Sequence, residues 1–132
     1  GMKILMFGFD KAEENPFLPH LYEKASVVYT GTHDNDTVMG WYSSIDDEDK
    51  QKFHTYSGCD KDDIHWQMIR MAMASVADIA VTPLQDVLGL GNEARMNVPG
   101  TATGNWQWRF KDGDLLTEYA GKLKLYCRLY NR

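Results

Sequence analysis

The break after Tyr29 constrains this chain most. Val27-Val28-Tyr29 is a short β-branched and aromatic run, and it gives way at once to Thr30-Gly31-Thr32-His33-Asp34-Asn35-Asp36-Thr37, a dense polar cluster. A strand that is apolar through its body and polar at its end is the pattern of a parallel strand delivering side chains to the C-terminal rim of an α/β sheet or barrel, where active sites sit. On that reading a strand covers Val27 to Thr32, and His33 and Asp34 face a substrate.

The remaining segments fit the same plan. Lys3 to Phe9 is a nearly continuous apolar run and predicts a parallel strand covered on both faces, which shows no alternation. Asp10 to Ser26, interrupted by Asn15-Pro16 and Leu18-Pro19, reads as loop with room for one helical turn. Gly40 to Ser44 ends the loop that carries the polar cluster, and Ser44 with Asp46-Asp47-Glu48-Asp49 marks a helix start, acids being favoured at the positive end of the helix dipole. That helix reaches about Tyr56 and is stopped by Gly58. From Asp62 to Ala77 the apolar residues Ile64, Met68, Met71, Ala72 and Ser75 recur at helical spacing, widened by Trp66, Ile69, Met73 and Val76. The pattern predicts a helix buried on most sides, with its methionines as core filler rather than a groove. Ile79 to Thr82 reads as a third strand ended by Pro83, Gln85 to Leu88 as one helical turn, Gly89 to Arg109 as a glycine-rich loop and Leu115 to Tyr130 as an amphipathic helix. This order is that of βαβ units, which imply parallel strands and right-handed crossovers. Three strands leave edges open, so the chain is expected to self-associate or to pair with a missing remainder.

Size and charge narrow the function. At 132 residues the chain is one domain at most, well short of the roughly 250 residues of a complete eight-stranded α/β barrel. A net charge of −5, with 14 scattered Lys and Arg outnumbered by 19 Asp and Glu, argues against a nucleic-acid binder and permits a neutral substrate. Neither an apolar stretch of about 18 residues nor a basic leader followed by an apolar core occurs, so no membrane partner is expected and the default location is cytoplasmic. Cys59 and Cys127 have neither metal nor disulfide spacing and read as free thiols. Gly1-Met2 is open to two readings, a residue left ahead of a start methionine or an internal pair in a cut piece.

The cluster does not stand alone. With Gly1-Met2-Lys3-Ile4-Leu5-Met6-Phe7-Gly8-Phe9, Asn15-Pro16-Phe17-Leu18-Pro19-His20, Pro83-Leu84-Gln85-Asp86-Val87-Leu88-Gly89-Leu90-Gly91, Arg95-Met96-Asn97-Val98-Pro99-Gly100 and Gly104-Asn105-Trp106 it resembles successive blocks of the 4-alpha-glucanotransferases (amylomaltases or disproportionating enzymes, glycoside hydrolase family 77). These blocks run in the family's order over nearly the whole chain. The resemblance implies an α/β fold that is a partial (β/α)8 TIM barrel, about strands six to eight with their helices, with the polar cluster after strand seven. Residues 1–132 would then be the C-terminal segment of a glucanotransferase catalytic barrel, a single partial domain.

The resemblance also implies a chemistry. Such enzymes transfer alpha-1,4-glucan segments between maltodextrins by the retaining route, which needs a carboxylate nucleophile and a carboxylic acid that protonates the leaving oxygen, through an oxocarbenium-like transition state. A third carboxylate holds the distorted sugar as positive charge develops. In the resembled family that third acid is the Asp of the His-Asp pair, here catalytic Asp34, with His33, Asn105 and Trp106 as substrate-binding residues. No metal or organic cofactor is required. The nucleophile and acid/base blocks, which follow strands four and five, have no counterpart here, so the isolated chain is expected to be inactive. Asp36, Asp86 and Glu93 would substitute only if they approached Asp34 to about 5 Å. A non-catalytic relic with weak sugar binding is the alternative.

Other readings of these residues fit less well. As a calcium loop starting at Asp34, the sequence puts Met39 at the glycine position and Ile45 at the bidentate glutamate position. A His-Asp metal phosphohydrolase needs paired helical ligands, and His20, His54 and His65 lack that spacing. Gly89-Leu90-Gly91-Asn92-Glu93-Ala94 matches a dinucleotide fingerprint in form, but Pro99-Gly100 follows too soon for the helix that must receive a pyrophosphate. The segment reads as a rim loop in which Trp106 and Trp108 either face a sugar ring or pin the loop, while Arg95 and Arg109 anchor it.

Overall fold

The computed structural model describes residues 1–12, 15–60, 62–114 and 117–132. Three short strands, β1 (Met2–Ile4), β2 (Val27–Tyr29) and β3 (Ile79–Val81), form one parallel sheet in the order β1-β2-β3. Met2, Val27 and Ile79 lie abreast, followed by Lys3, Val28 and Ala80, then by Ile4, Tyr29 and Val81. Side chains abreast in a sheet share a face. The face carrying Val28 and Ala80 packs into the core, with Val28 fully buried, whereas Met2, Ile79 and Val81 on the other face are exposed.

The expectation of a first strand covered on both faces, running from Lys3 to Phe9, is therefore corrected. The strand stops at Ile4, and Leu5–Phe9 winds into a 3-10 turn that buries Leu5, Met6, Gly8 and Phe9. A continuous apolar run reports burial and is silent on whether strand or helix achieves it. Gly8 lets the turn close, because a Cβ there would meet the Phe17 carbonyl oxygen at 3.1 Å. The loop to β2 contains the expected single helical turn, Pro19–Leu21.

Between β2 and β3 lie three helices, α1 (Val38–Ser44), α2 (Asp47–Ser57) and α3 (Ile64–Ala74). Helix α1 occupies a segment read as the end of a loop. Its start is marked by Thr37, whose hydroxyl oxygen accepts from the Gly40 N–H at 3.0 Å, and Gly40 is required because the Asp36 carboxylate fills the space of a Cβ. Helix α2 follows the expectation closely. Asp46, rather than Ser44, is the N-cap, accepting from the Asp49 N–H at 3.0 Å, and Gly58 at φ 66 ends the helix in the left-handed conformation that favours glycine. Helix α3 buries Ile64, Trp66, Met68, Ile69 and Ala72, so the methionine stripe is core, although the helix ends three residues before Ala77.

The main core joins Leu5, Phe9, Val28, Val38, Phe53, Ile64 and Met68 beneath the sheet. A second cluster sets Trp66, Ile69 and Val87 against Tyr126 of α5 (Thr117–Leu129). Leu115 and Leu116, where the closing helix was expected to begin, lie outside the described residues. After β3 comes α4 (Leu84–Val87), and the glycine-rich loop that follows begins no helix at Gly89, only a 3-10 turn at Asn92–Ala94, as expected for a rim loop. Both cysteines are free. Among the described residues no helix is long and apolar enough to cross a membrane.

Candidate active site

The turn after β2 is built by its own polar side chains and closed from outside by one buried acid. Asn35 Oδ1 accepts from both the Thr32 N–H and the Thr32 hydroxyl, each at 2.8 Å, the local closure that Asn favours in turns. Asp86, 2% exposed, accepts from the Thr30 hydroxyl at 2.6 Å through Oδ2 and from the Val38 N–H at 2.8 Å through Oδ1. One carboxylate thereby fastens Thr30, the residue after β2, to the first amide of α1. The tip between them, His33 and Asp34, is left half-exposed.

The rim loop grips that tip. Asn97 donates from Nδ2 to Asp34 Oδ1 at 2.7 Å and from its backbone N–H to the His33 carbonyl at 3.1 Å. Arg95 Nη2 donates to the Asp34 carbonyl at 2.8 Å, and His33 Nε2 lies 3.2 Å from Asp34 Oδ1. Among the described residues Asp34 Oδ2 has no donor. Asp34 lines a cleft of about 430 Å³ floored by the exposed sheet face, with Met2, Ile4, Tyr29 and Val81 beneath it. On the other side of His33 a second cleft, about 230 Å³, is lined by Asp36, Gln85, Asp86, Arg95 and Trp106.

The expected site residues gather in part. His33, Asp34 and Trp106 come together, the indole of Trp106 lying 5.1 Å from the His33 ring and half-exposed. Trp106 takes the left-handed conformation, φ 63, and its N–H donates to the Met96 carbonyl at 2.7 Å, which sets the ring over His33. Asn105, expected as a substrate contact, lines neither cleft. Its Oδ1 accepts from the Val98 N–H at 2.9 Å and its Nδ2 donates to Thr101 Oγ1 at 2.9 Å, so the amide closes the loop that presents Trp106. Arg95 and Arg109 anchor the loop as expected, Arg109 through the Trp106 and Trp108 carbonyls. The three other acids weighed as substitutes are engaged locally. Asp36 accepts from Asn92 Nδ2, Glu93 accepts from the Gly91 N–H, and Asp86 fastens the turn. Sequence reasoning missed Asn97 as a partner of Asp34, since nothing local links positions 63 residues apart. No group of three or more potential metal ligands occurs among the described residues.

Burial disfavours the charged form of both the acid and the imidazole under the turn, and so shifts them in opposite directions. Burial pushes the Asp86 carboxyl above its usual range, only partly offset by the hydrogen bonds from Thr30 and Val38. Burial likewise holds His65 below the ordinary imidazole value, and its Nδ1–H donates to the Asp86 carbonyl at 2.7 Å, which fixes the neutral tautomer. For His65 the sign follows directly. The unfolded chain binds the proton more readily than the folded one, so stability is lost as pH falls from about 6.5 through the lowered folded value. His65→Gln should therefore flatten the acid side of the melting-temperature profile between about pH 7 and 5 relative to the unaltered chain; an unchanged slope would show that His65 does not set it.

With this geometry in place, comparison with known proteins is decisive. The family model described as 4-alpha-glucanotransferase matches residues 1–117. The chain belongs to the 4-alpha-glucanotransferase family. It is 51% identical to a Synechocystis 4-alpha-glucanotransferase and 46% identical to that of Thermus thermophilus, in each case over 100% of this chain but only 26% and 28% of the relative. An amylomaltase from Streptococcus agalactiae, solved in complex with acarbose, superposes with a TM-score of 0.95 at 36% identity, covering 100% of this chain and 27% of that one. The chain thus spans about a quarter of the length of these glucanotransferases. Plant relatives, such as the one from Arabidopsis thaliana at 46% identity, carry the description chloroplastic/amyloplastic.

Proposed function

We propose that this chain supplies one part of a retaining glucanotransferase site, the portion of the (β/α)8 barrel from strand six to strand eight, acting on maltodextrin or starch-type glucans. Asp34 is its transition-state stabiliser, His33 a hydrogen-bonding partner of the same sugar, and Trp106 an apolar platform at the rim, with Asn105 shaping the loop behind it. The observation that carries this reading is the state of the Asp34 carboxylate. One oxygen is held by Asn97, the other has no donor among the described residues, and the side chain borders an open cleft above the ends of parallel strands. A carboxylate fixed before the substrate arrives stabilises developing positive charge without reorganising, which is where such groups gain their effect.

Physical chemistry assigns the rest of the reaction elsewhere. Retention requires a nucleophile and an acid/base about 5 Å apart, and the acids near Asp34 are engaged in hydrogen bonds that hold the turn and its loops. The exposed sheet face and the free edges of β1 and β3 are the natural seat for the remainder of the barrel, which closes edges that three strands leave open. The mechanism needs no cofactor.

The test is complementation. The purified 132 residues should show no disproportionation of maltotriose. Mixing them with a polypeptide that carries the preceding barrel strands should restore it, and Asp34→Asn should lower the restored rate by at least about a hundredfold while the complex still forms. Transfer by the isolated chain, or full activity of a complex carrying Asp34→Asn, would refute the assignment.

A further inference from the structure

We propose that Asn97 is a positioning residue: its side-chain amide holds Asp34 Oδ1 so that Oδ2 is the oxygen offered to the sugar. The inference rests on the glucan reading for its consequence, though not for its geometry.

A carboxylate on a half-exposed turn tip rotates freely about its last bond unless something holds it, because that torsion is broad and two-fold. Here two groups approach the same oxygen. Asn97 Nδ2 is at 2.7 Å, within the range of a strong N–H···O⁻ bond, while His33 Nε2 at 3.2 Å is longer. Asn97 is the better placed of the two because its own backbone is locked to the same dipeptide. Its N–H donates to the His33 carbonyl, and two residues earlier Arg95 donates to the Asp34 carbonyl. Three hydrogen bonds from one short stretch of rim loop therefore fix backbone and side chain of the His33-Asp34 pair together. Val98, next along the loop, gives its N–H to Asn105, and Trp106 ties back to Met96, so the clamp is itself braced.

Chemistry explains why an amide suits this place. An amide donates without a charge, so it orients Asp34 and leaves the negative charge available to the transition state. A lysine or arginine in its position would neutralise that charge, and a carboxylate would oppose it. Charged and titratable groups around the clamp are His33 beside it, Arg95 on the backbone oxygen, and Asp36 two residues on, held by Asn92.

The experiment uses the isotope-labelled 132-residue chain mixed with the unlabelled polypeptide that carries the preceding barrel strands, Asn97→Ala and Asn97→Asp as variants, and acarbose as the probe. In nitrogen–proton spectra the side-chain amide pair of Asn97 should shift when Asp34 is changed to Asn, while the amides of Val28 and Phe53 in the core stay put. An Asn97 pair indifferent to Asp34→Asn would overturn the clamp. Acarbose perturbation of the turn amides should weaken about tenfold in Asn97→Ala. Asn97→Asp should bind almost normally at about pH 5, where one proton shared by the two acids replaces the amide hydrogen, and about tenfold more weakly at about pH 8, where both are ionised and repel. Equal losses at both pH values would mark Asn97 as merely structural and overturn the proposal. If the complemented complex shows no acarbose perturbation while the amide signature is intact, the glucan reading falls and the clamp stands. Should Asn97→Ala fail to fold, the isosteric Asn97→Asp and the Asp34→Asn signature still decide.

Discussion

Asp86→Ala is expected to lower the unfolding free energy by about 3 kcal/mol or more, while Asp86→Asn costs less than about 1 kcal/mol. Alanine strands two buried partners, the Thr30 hydroxyl and the first amide of α1, each of which then lies away from water without an acceptor. Leaving a buried polar group unpaired costs about 1 to 3 kcal/mol apiece. Asparagine keeps both contacts. Its oxygen accepts from the Val38 N–H and its amide donates to Thr30, whose hydroxyl turns from donor to acceptor. Asparagine also removes the cost of desolvating a charge. Because burial raises the Asp86 carboxyl above its unfolded value near 3.8, the folded state binds the proton more tightly, and stability falls as pH rises from that value through the raised one. The Asp86→Asn variant should thus gain on the unaltered chain between about pH 4 and 7 in urea denaturation. A gain in the opposite direction would mean that the two donors outweigh burial at this carboxylate. Loss of the fastener also frees both ends of the turn, so Asp86→Ala should loosen His33 and Asp34 although it touches neither.

The second large effect lies at Phe53. Its side chain is completely buried where α2 meets the 3-10 turn, with its ring 5.1 Å from Phe9, 5.9 Å from Trp41 and 6.1 Å from Tyr42. Edge-to-face contacts with three aromatic neighbours add to the area removed from water. Phe53→Ala should cost about 4 kcal/mol, a large share of the roughly 5 to 15 kcal/mol typical of a domain, and lower the melting temperature by about 15 °C. Phe53→Leu, which fills much of the same volume, should cost under about 2 kcal/mol. Calorimetry on the two variants checks the pair, and equal losses would show that the ring geometry, rather than volume, holds this corner together.

What was legible in the residues divides along physical lines. Local signals were read well. Asp46 to Asp49 and Gly58 bounded α2 within a residue or two, whereas β2 stops at Tyr29 rather than at the expected Thr32, because the Thr30 and Thr32 hydroxyls donate to Asp86 and Asn35 in the turn that carries His33 and Asp34. Burial without periodicity misled, as in the Leu5–Phe9 turn read as strand. Helix α1 was overlooked because Gly40 is a poor helix former in isolation, and only the Asp36 carboxylate packed against it explains its presence. The site was legible as a motif but not as a mechanism of support. Asp86 and Asn97 reach the turn across 48 to 63 residues of chain, and no spacing rule joins such positions. Asn105 shows the converse, a residue whose type suits sugar binding but whose amide the loop has already engaged.

The distance in sequence between the turn and its fastener has a consequence for biosynthesis. Thr30 and Val38 precede Asp86 by 56 and 48 positions, so a ribosome releases the acid-bearing turn long before the carboxylate that closes it has been translated. Contacts of that span form late, after the loop-closure entropy of the intervening helices has been met. A nascent chain will therefore complete α2 and the Asn35–Thr32 bonds of the turn early, and fasten the turn to α1 only once the segment carrying Asp86 has docked behind β3.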